Sequence, residues 1–180
     1  MMDYTIRSAT PADAPGIAKV ACITWDVTYA HSITAHNGRQ FLNRAYALET
    51  LREEIEDEHT WFYVAAQGRG VVGFAQYIRR FDAEGELVRL YVHPDHQRNR
   101  IGRAFLATGL AALATSGIGQ CYVSVGVDNI DARTFYERFG FRPHREYGHF
   151  LGNQIIRLVE YKAPITQLLD VLDLREGEVE

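Results

Sequence analysis

The chain has 180 residues, 47% of them apolar, which is enough to fill one sizeable core, so a single domain is expected. A formal charge of -4 excludes broad nucleic-acid binding driven by phosphate neutralisation, and any anion site must be local. Cys22 and Cys121 read as two buried thiols in a reducing compartment, and with no apolar signal core and no run of about 18 apolar residues the protein is expected to be cytoplasmic and off the membrane.

Tyr4 to Arg7 predicts a short strand, and Thr10-Pro11-Ala12-Asp13 then supplies a capping residue, a proline at the first helical position and a carboxylate at the third. Ile17, Val20, Ala21 and Trp25 recur at helical spacing, and the helix ends near Tyr29. His31 to Gly38 reads as an irregular loop. Phe41, Leu42, Ala45, Leu48, Leu51 and Ile55 then predict one second helix.

Trp61 to Ala66 and Val71 to Arg80 are β-branched and aromatic, joined by the hairpin turn Gln67-Gly68-Arg69-Gly70. A third strand, Glu86 to His93, is stopped by Pro94. Ile101 to Thr115 is helical, Gly117-Ile118-Gly119 breaks it, and Cys121 to Val127 is the next strand. Strand, crossover helix and strand predict one parallel junction in an otherwise antiparallel sheet, which is where a ligand is expected. Asn129 or Asp128 caps a helix through Phe139 that Gly140 ends, and a closing hairpin around Gly152-Asn153 precedes a helix from Ile165 to Leu174 and an acidic tail. The domain is expected to span residues 1–163, with 164–180 appended.

The segment from Leu90 to Arg103 joins a strand to a helix through a basic loop. Free N–H groups at the first helical turn, the helix dipole and the side chains of Arg98, Arg100 and Arg103 all favour a polyphosphate there, and Gly102 would let it approach the backbone. From charge alone, a solvated arginine-rich helix start fits equally well. The segment has neither the triple-glycine dinucleotide fingerprint nor the Gly-Lys-Ser/Thr of a P-loop.

Gln97, Arg100 and Gly102 occupy the three defined positions of a loop that runs Gln or Arg, two variable residues, Gly, a variable residue, then Gly or Ala. With Asn129-Ile130-Asp131-Ala132-Arg133-Thr134-Phe135-Tyr136-Glu137-Arg138-Phe139-Gly140-Phe141 and the start Ile6-Arg7-x-Ala9-Thr10-Pro11-x-Asp13, the chain resembles the GNAT superfamily of acetyl-CoA-dependent N-acetyltransferases from about Tyr4 to Tyr161. The resemblance implies an α/β fold of the α+β type, a mostly antiparallel central sheet with helices on both faces and a splayed parallel strand pair. It also implies acetyl-CoA as co-substrate and direct transfer to an amine of a small molecule or peptide, with a catalytically silent acyl-CoA-binding or regulatory module as the alternative.

Carried onto this sequence, the resemblance implies that Leu90, Tyr91 and Val92 hold the pantetheine arm and that Gln97, Arg98, Asn99, Arg100, Ile101, Gly102 and Arg103 hold the pyrophosphate. Arg100 stands where the pattern usually has its first glycine, which alters a backbone contact or adds a side-chain one. The Val92 N–H is the candidate oxyanion donor. Tyr136 is the candidate general acid, a core aromatic being the plain alternative, and Asn129 a cofactor contact that also caps its helix. Glu86 has the chemistry of a general base, or is a surface strand glutamate. No metal is expected from His93, His96, His144 and His149, and Cys121 reads as core rather than nucleophile. The acceptor entrance lies in His31 to Arg44 and Arg145 to Gln154, and Ile165, Leu168, Leu169 and Leu172 pack either on the protein's own sheet or in a homodimer.

Overall fold

A computed structural model describes residues 4–177. Seven strands and six helices follow in the order β1 (Thr5–Ser8), α1 (Ala14–Tyr29), α2 (Ala35–Ala45), α3 (Leu48–Glu56), β2 (Thr60–Gln67), β3 (Gly70–Phe81), β4 (Glu84–Val92), α4 (Ile101–Thr115), β5 (Gln120–Gly126), α5 (Ile130–Arg138), β6 (Arg142–Leu151), β7 (Gln154–Pro164) and α6 (Ile165–Gly177). One sheet holds all the strands in the order β1-β2-β3-β4-β5-β7-β6. Every pairing is antiparallel except β4 with β5, as the crossover through α4 requires. The last residues of the acidic tail read from the sequence lie outside the described residues.

The two faces of the sheet bury different cores. Phe105, Leu106, Leu110 and Leu113 of α4 pack with Tyr77, Leu87, Cys121 and Val123 on one face, and α1 and α3 cover Phe62, Val64 and Phe74 on the other. Seating α4 requires Gly109, because a Cβ there would lie 2.1 Å from the ring of Tyr77, whose hydroxyl donates to the Phe105 carbonyl at 3.0 Å. Ile165, Leu168 and Leu172 of α6 are buried in this same core, so α6 is packed on its own domain beside α4.

Two elements depart from expectation. The predicted second helix is two, α2 and α3, broken at Tyr46 and Ala47, and α2 begins at Ala35 inside the segment read as irregular. The break lets the Tyr46 ring pack edge-on against Phe41 and Phe74 beneath the Arg89 guanidinium while Leu51 still reaches the core. Thr34 caps α2 by accepting from the Asn37 N–H, and buried Asn37 bonds Asn153 and Gln154 of the closing hairpin. Cys22 is the second departure: it is exposed on α1, whereas Cys121 is buried.

β4 contains an extra residue. Gln76 of β3 pairs with Arg89 and Tyr77 with Leu87, leaving Val88 as a bulge. A bulge bends its strand and increases its twist. The parallel pairing of β4 with β5 ends just there, at Leu87 opposite Val123, and beyond it the two strands form a wedge.

Candidate active site

The wedge is edged by backbone donors. The His93 N–H bonds the Val72 carbonyl on β3, so alternation turns the N–H groups of Val92 and Leu90 the other way, into the opening. No strand of the sheet meets them there. Their side chains pack toward α4: Val92 is in its core, and Leu90 lies beside Gly102. Tyr91 projects to the opposite face, where it stacks on Phe74 and its hydroxyl accepts from Trp25 Nε1 at 3.2 Å.

At the top of the wedge, the loop into α4 is tied by its own side chains. Gln97 Nε2 donates to the Val92 carbonyl at 3.2 Å, and Asn99 Nδ2 to the carbonyls of His96 and Gln97. Arg98 and Arg100 both have positive φ, 63° and 61°, so Arg100 adopts the left-handed conformation a glycine would take. An exposed guanidinium therefore stands in a left-handed conformation where the resemblance implies a glycine. The N–H groups of Ile101, Gly102 and Arg103 have no acceptor within the helix and open toward the loop. Ile101 is otherwise a core side chain, and the Arg103 guanidinium donates to the Leu172 carbonyl on α6 at 2.6 Å, away from the loop. Gly102 has a steric reason of its own, since a Cβ would lie 3.1 Å from the Phe135 ring of α5.

Asn129 caps α5, its Oδ1 accepting from the Ala132 N–H at 3.1 Å, and its side chain also interacts with Tyr29 at the end of α1. Tyr136, about two turns along, is 6% exposed and packs on Phe135 and Phe141. Its hydroxyl has no hydrogen-bond partner among the described residues. Burial raises its pKa far above that of a free phenol, with Tyr91, Tyr29 and Cys121 adding to the effect, so it stays protonated at neutral pH. Burial likewise pushes the Cys121 thiol up to about 12, and it cannot serve as a thiolate.

Glu86 lies on the face opposite the α4 core, next to Tyr122 of β5, just below the end of the parallel pairing. Its carboxyl pKa is raised by burial and by the nearby Glu160, while Arg80 works against the rise. A composition-based reading missed Arg80, Glu160, Tyr29 and the Val88 bulge. Only Glu160 left a signal, as one of two charges, with Arg157, in the otherwise apolar stretch from Ile155 to Tyr161.

The donor-lined wedge beside a helix start with basic flanks fits an extended amide-bearing arm ending in a pyrophosphate. A family model described as an acetyltransferase (GNAT) domain matches residues 26–162, from within α1 to within β7. The chain belongs to the GNAT acetyltransferase family. It is an acetyl-CoA-dependent N-acetyltransferase, with acetyl-CoA the co-substrate that the wedge and loop suit. A spermidine N(1)-acetyltransferase of Thermoplasma acidophilum is 26% identical over 145 residues, 78% of this chain and 89% of that protein. A mycothiol acetyltransferase of Beutenbergia cavernae is 30% identical over 81% of this chain but only 52% of its own length. Among solved structures, the PaiA N-acetyltransferase of Thermoplasma acidophilum in complex with coenzyme A superposes with a TM-score of 0.78 at 23% identity, over 90% of this chain and all of that one. The ribosomal-protein-S18-alanine N-acetyltransferase of Escherichia coli has the same fold, with a TM-score of 0.68 at 21% identity over 91% and 94%.

Proposed function

We propose that this GNAT protein, a catalytic domain of residues 1–163 with α6 appended, transfers acetyl directly to a primary amine of a small molecule in a ternary complex. The observation that supports this most is the pair of unpartnered N–H groups, Leu90 and Val92, facing the wedge beside the start of α4. The named activities of the spermidine and mycothiol relatives favour a small-molecule acceptor over a peptide terminus.

Bound acetyl-CoA supplies the activated acetyl group. The first-turn N–H groups of Ile101, Gly102 and Arg103, with the side chains of Arg98 and Arg100, hold its pyrophosphate, and the ties made by Gln97 and Asn99 keep the loop in shape for it. Leu90 and Val92 hold the pantetheine arm by their backbone, while the Tyr91 backbone is paired to β3 and takes no part; Asn129 borders the arm, and the Val92 N–H polarises the carbonyl. Glu86, ionised but made more basic by burial, takes the proton of the incoming ammonium directly or through water. Tyr136, protonated and without a competing partner, supplies a proton to the departing sulfur. The buried, protonated Cys121 leaves no thiolate for an acyl-enzyme, which favours direct transfer.

The test follows thiol release from acetyl-CoA over a panel of primary amines and short peptides. Tyr136→Phe should reduce kcat by about 10²-fold or more with the best acceptor. Undiminished turnover would remove the acid role.

A further inference from the structure

Glu86 is a half-buried carboxylate with no hydrogen bond or ion pair among the described residues, although a guanidinium lies beside it. That guanidinium is Arg80, near the end of β3. It reaches across β4 and β5 to Glu160 on β7, Nη1 to Oε2 at 3.0 Å, and lies over the Tyr122 ring 4.6 Å from its centroid. Glu160 is only 3% exposed and also receives Arg145 of β6, Nε to Oε1 at 2.8 Å. Two arginines on one buried carboxylate satisfy it where a single partner would leave Arg80 shared. Glu86, which feels the Arg80 charge, is thereby left without a partner of its own among the described residues.

We propose that Glu160 is a positioning residue: by binding Arg80 it keeps the Glu86 carboxylate unpaired and open to the acceptor ammonium. This rests on the reading of Glu86 as the base. The groups facing Glu86 are Arg80 from β3, Glu84 on its own strand, Tyr122 from β5, Glu160 from β7, and Arg145 with His144 from β6 behind Tyr122. Glu84 already accepts from the Tyr122 hydroxyl at 3.1 Å, so Glu86 is the acid with a free carboxylate for a released Arg80. An arginine moving onto a carboxylate stabilises its ionised form and lowers its pKa. The base would then be weaker, and blocked.

Carbon-13 NMR titration of the glutamate carboxyls reads this without any acceptor, with Glu86 assigned by its loss in Glu86→Gln. Glu160→Gln should lower the Glu86 midpoint by about one pH unit, and adding Arg80→Gln should bring it back up. Glu160→Asp, one methylene short of Arg80, keeps the negative charge that itself raises the Glu86 pKa, so a smaller downward shift in this variant reports the movement of Arg80; it also serves if Glu160→Gln does not fold. In thiol-release assays with the best amine of the panel, Glu160→Gln should move the acid limb of kcat/KM to lower pH and cut its value at neutral pH roughly tenfold, with recovery in the double variant. A Glu86 midpoint unchanged in Glu160→Asp overturns the role of Glu160. Undiminished turnover in Glu86→Gln overturns instead the base assignment beneath it.

Discussion

Arg100→Gly should make the protein more stable, because Arg100 is held at φ 61° and ψ 8° at the start of α4. A residue with a Cβ loses about 1–2 kcal/mol in that conformation. Glycine removes the loss but gains freedom in the unfolded chain, which takes back about 0.5–1 kcal/mol. The Arg100 side chain is exposed and makes no hydrogen bond or ion pair among the described residues, so its removal costs little. The net gain is about 0.5–1 kcal/mol, or a rise in Tm of roughly 1–4 °C for a chain of this size. Thermal unfolding without cofactor measures it, with Arg100→Ala as control: alanine loses the same charge but keeps the Cβ, so its Tm should stay near the wild type. Calorimetric titration with CoA then isolates the guanidinium, since both variants should bind more weakly by a similar factor. A glycine variant no more stable than the alanine variant would refute the reasoning.

Gly109→Ala should destabilise by several kcal/mol, seen as a large drop in Tm, since its Cβ would lie 2.1 Å from the buried Tyr77 ring. The Asp13 carboxylate receives both Nη atoms of Arg7 at 2.7 and 2.8 Å, and these bonds above all hold its pKa down at about 2 rather than 3.8. Because the folded state binds this proton less readily than the unfolded chain, the pair contributes about 2 kcal/mol above pH 4, lost as pH falls from about 4 to about 2. Acid unfolding of Asp13→Asn should lack that part of the slope. Thiol labelling of the native protein should modify Cys22 quickly and Cys121 only on unfolding, as mass spectrometry of the digest would read.

Much of this was legible in the sequence because it depends on local spacing. The residues from Ile101 to Thr115 form α4 as their periodicity predicts, and the turn at Gly152 and the cap at Asn129 fall where short-range chemistry puts them. The break between α2 and α3 was not legible, since apolar spacing continues through Tyr46 and only the cation over its ring and the Phe74 contact favour a bend. Cys22 was misread although the spacing of Ile17, Val20, Ala21 and Trp25 already turns position 22 away from their buried stripe. The candidate site divides in the same way. Its loop and α5 segment are contiguous motifs, whereas Arg80, Glu86 and Glu160 meet only through a sheet whose order brings β7 beside β5.

The unpaired Val88 makes strand length a matter of parity. Counting along β4 from Glu86 with Val88 as an ordinary strand residue, Arg89 and Tyr91 would fall on the α4 side and Leu90 and Val92 on the other; the bulge absorbs the extra count. Straightening the bulge with Val88 kept in the ladder would therefore exchange the furniture of two rooms at once, sending a phenol into the aliphatic core and two aliphatic side chains into the cleft. Deleting Val88 would instead leave Leu90, Tyr91 and Val92 on their present faces and take away only the bend beside which the parallel pairing ends.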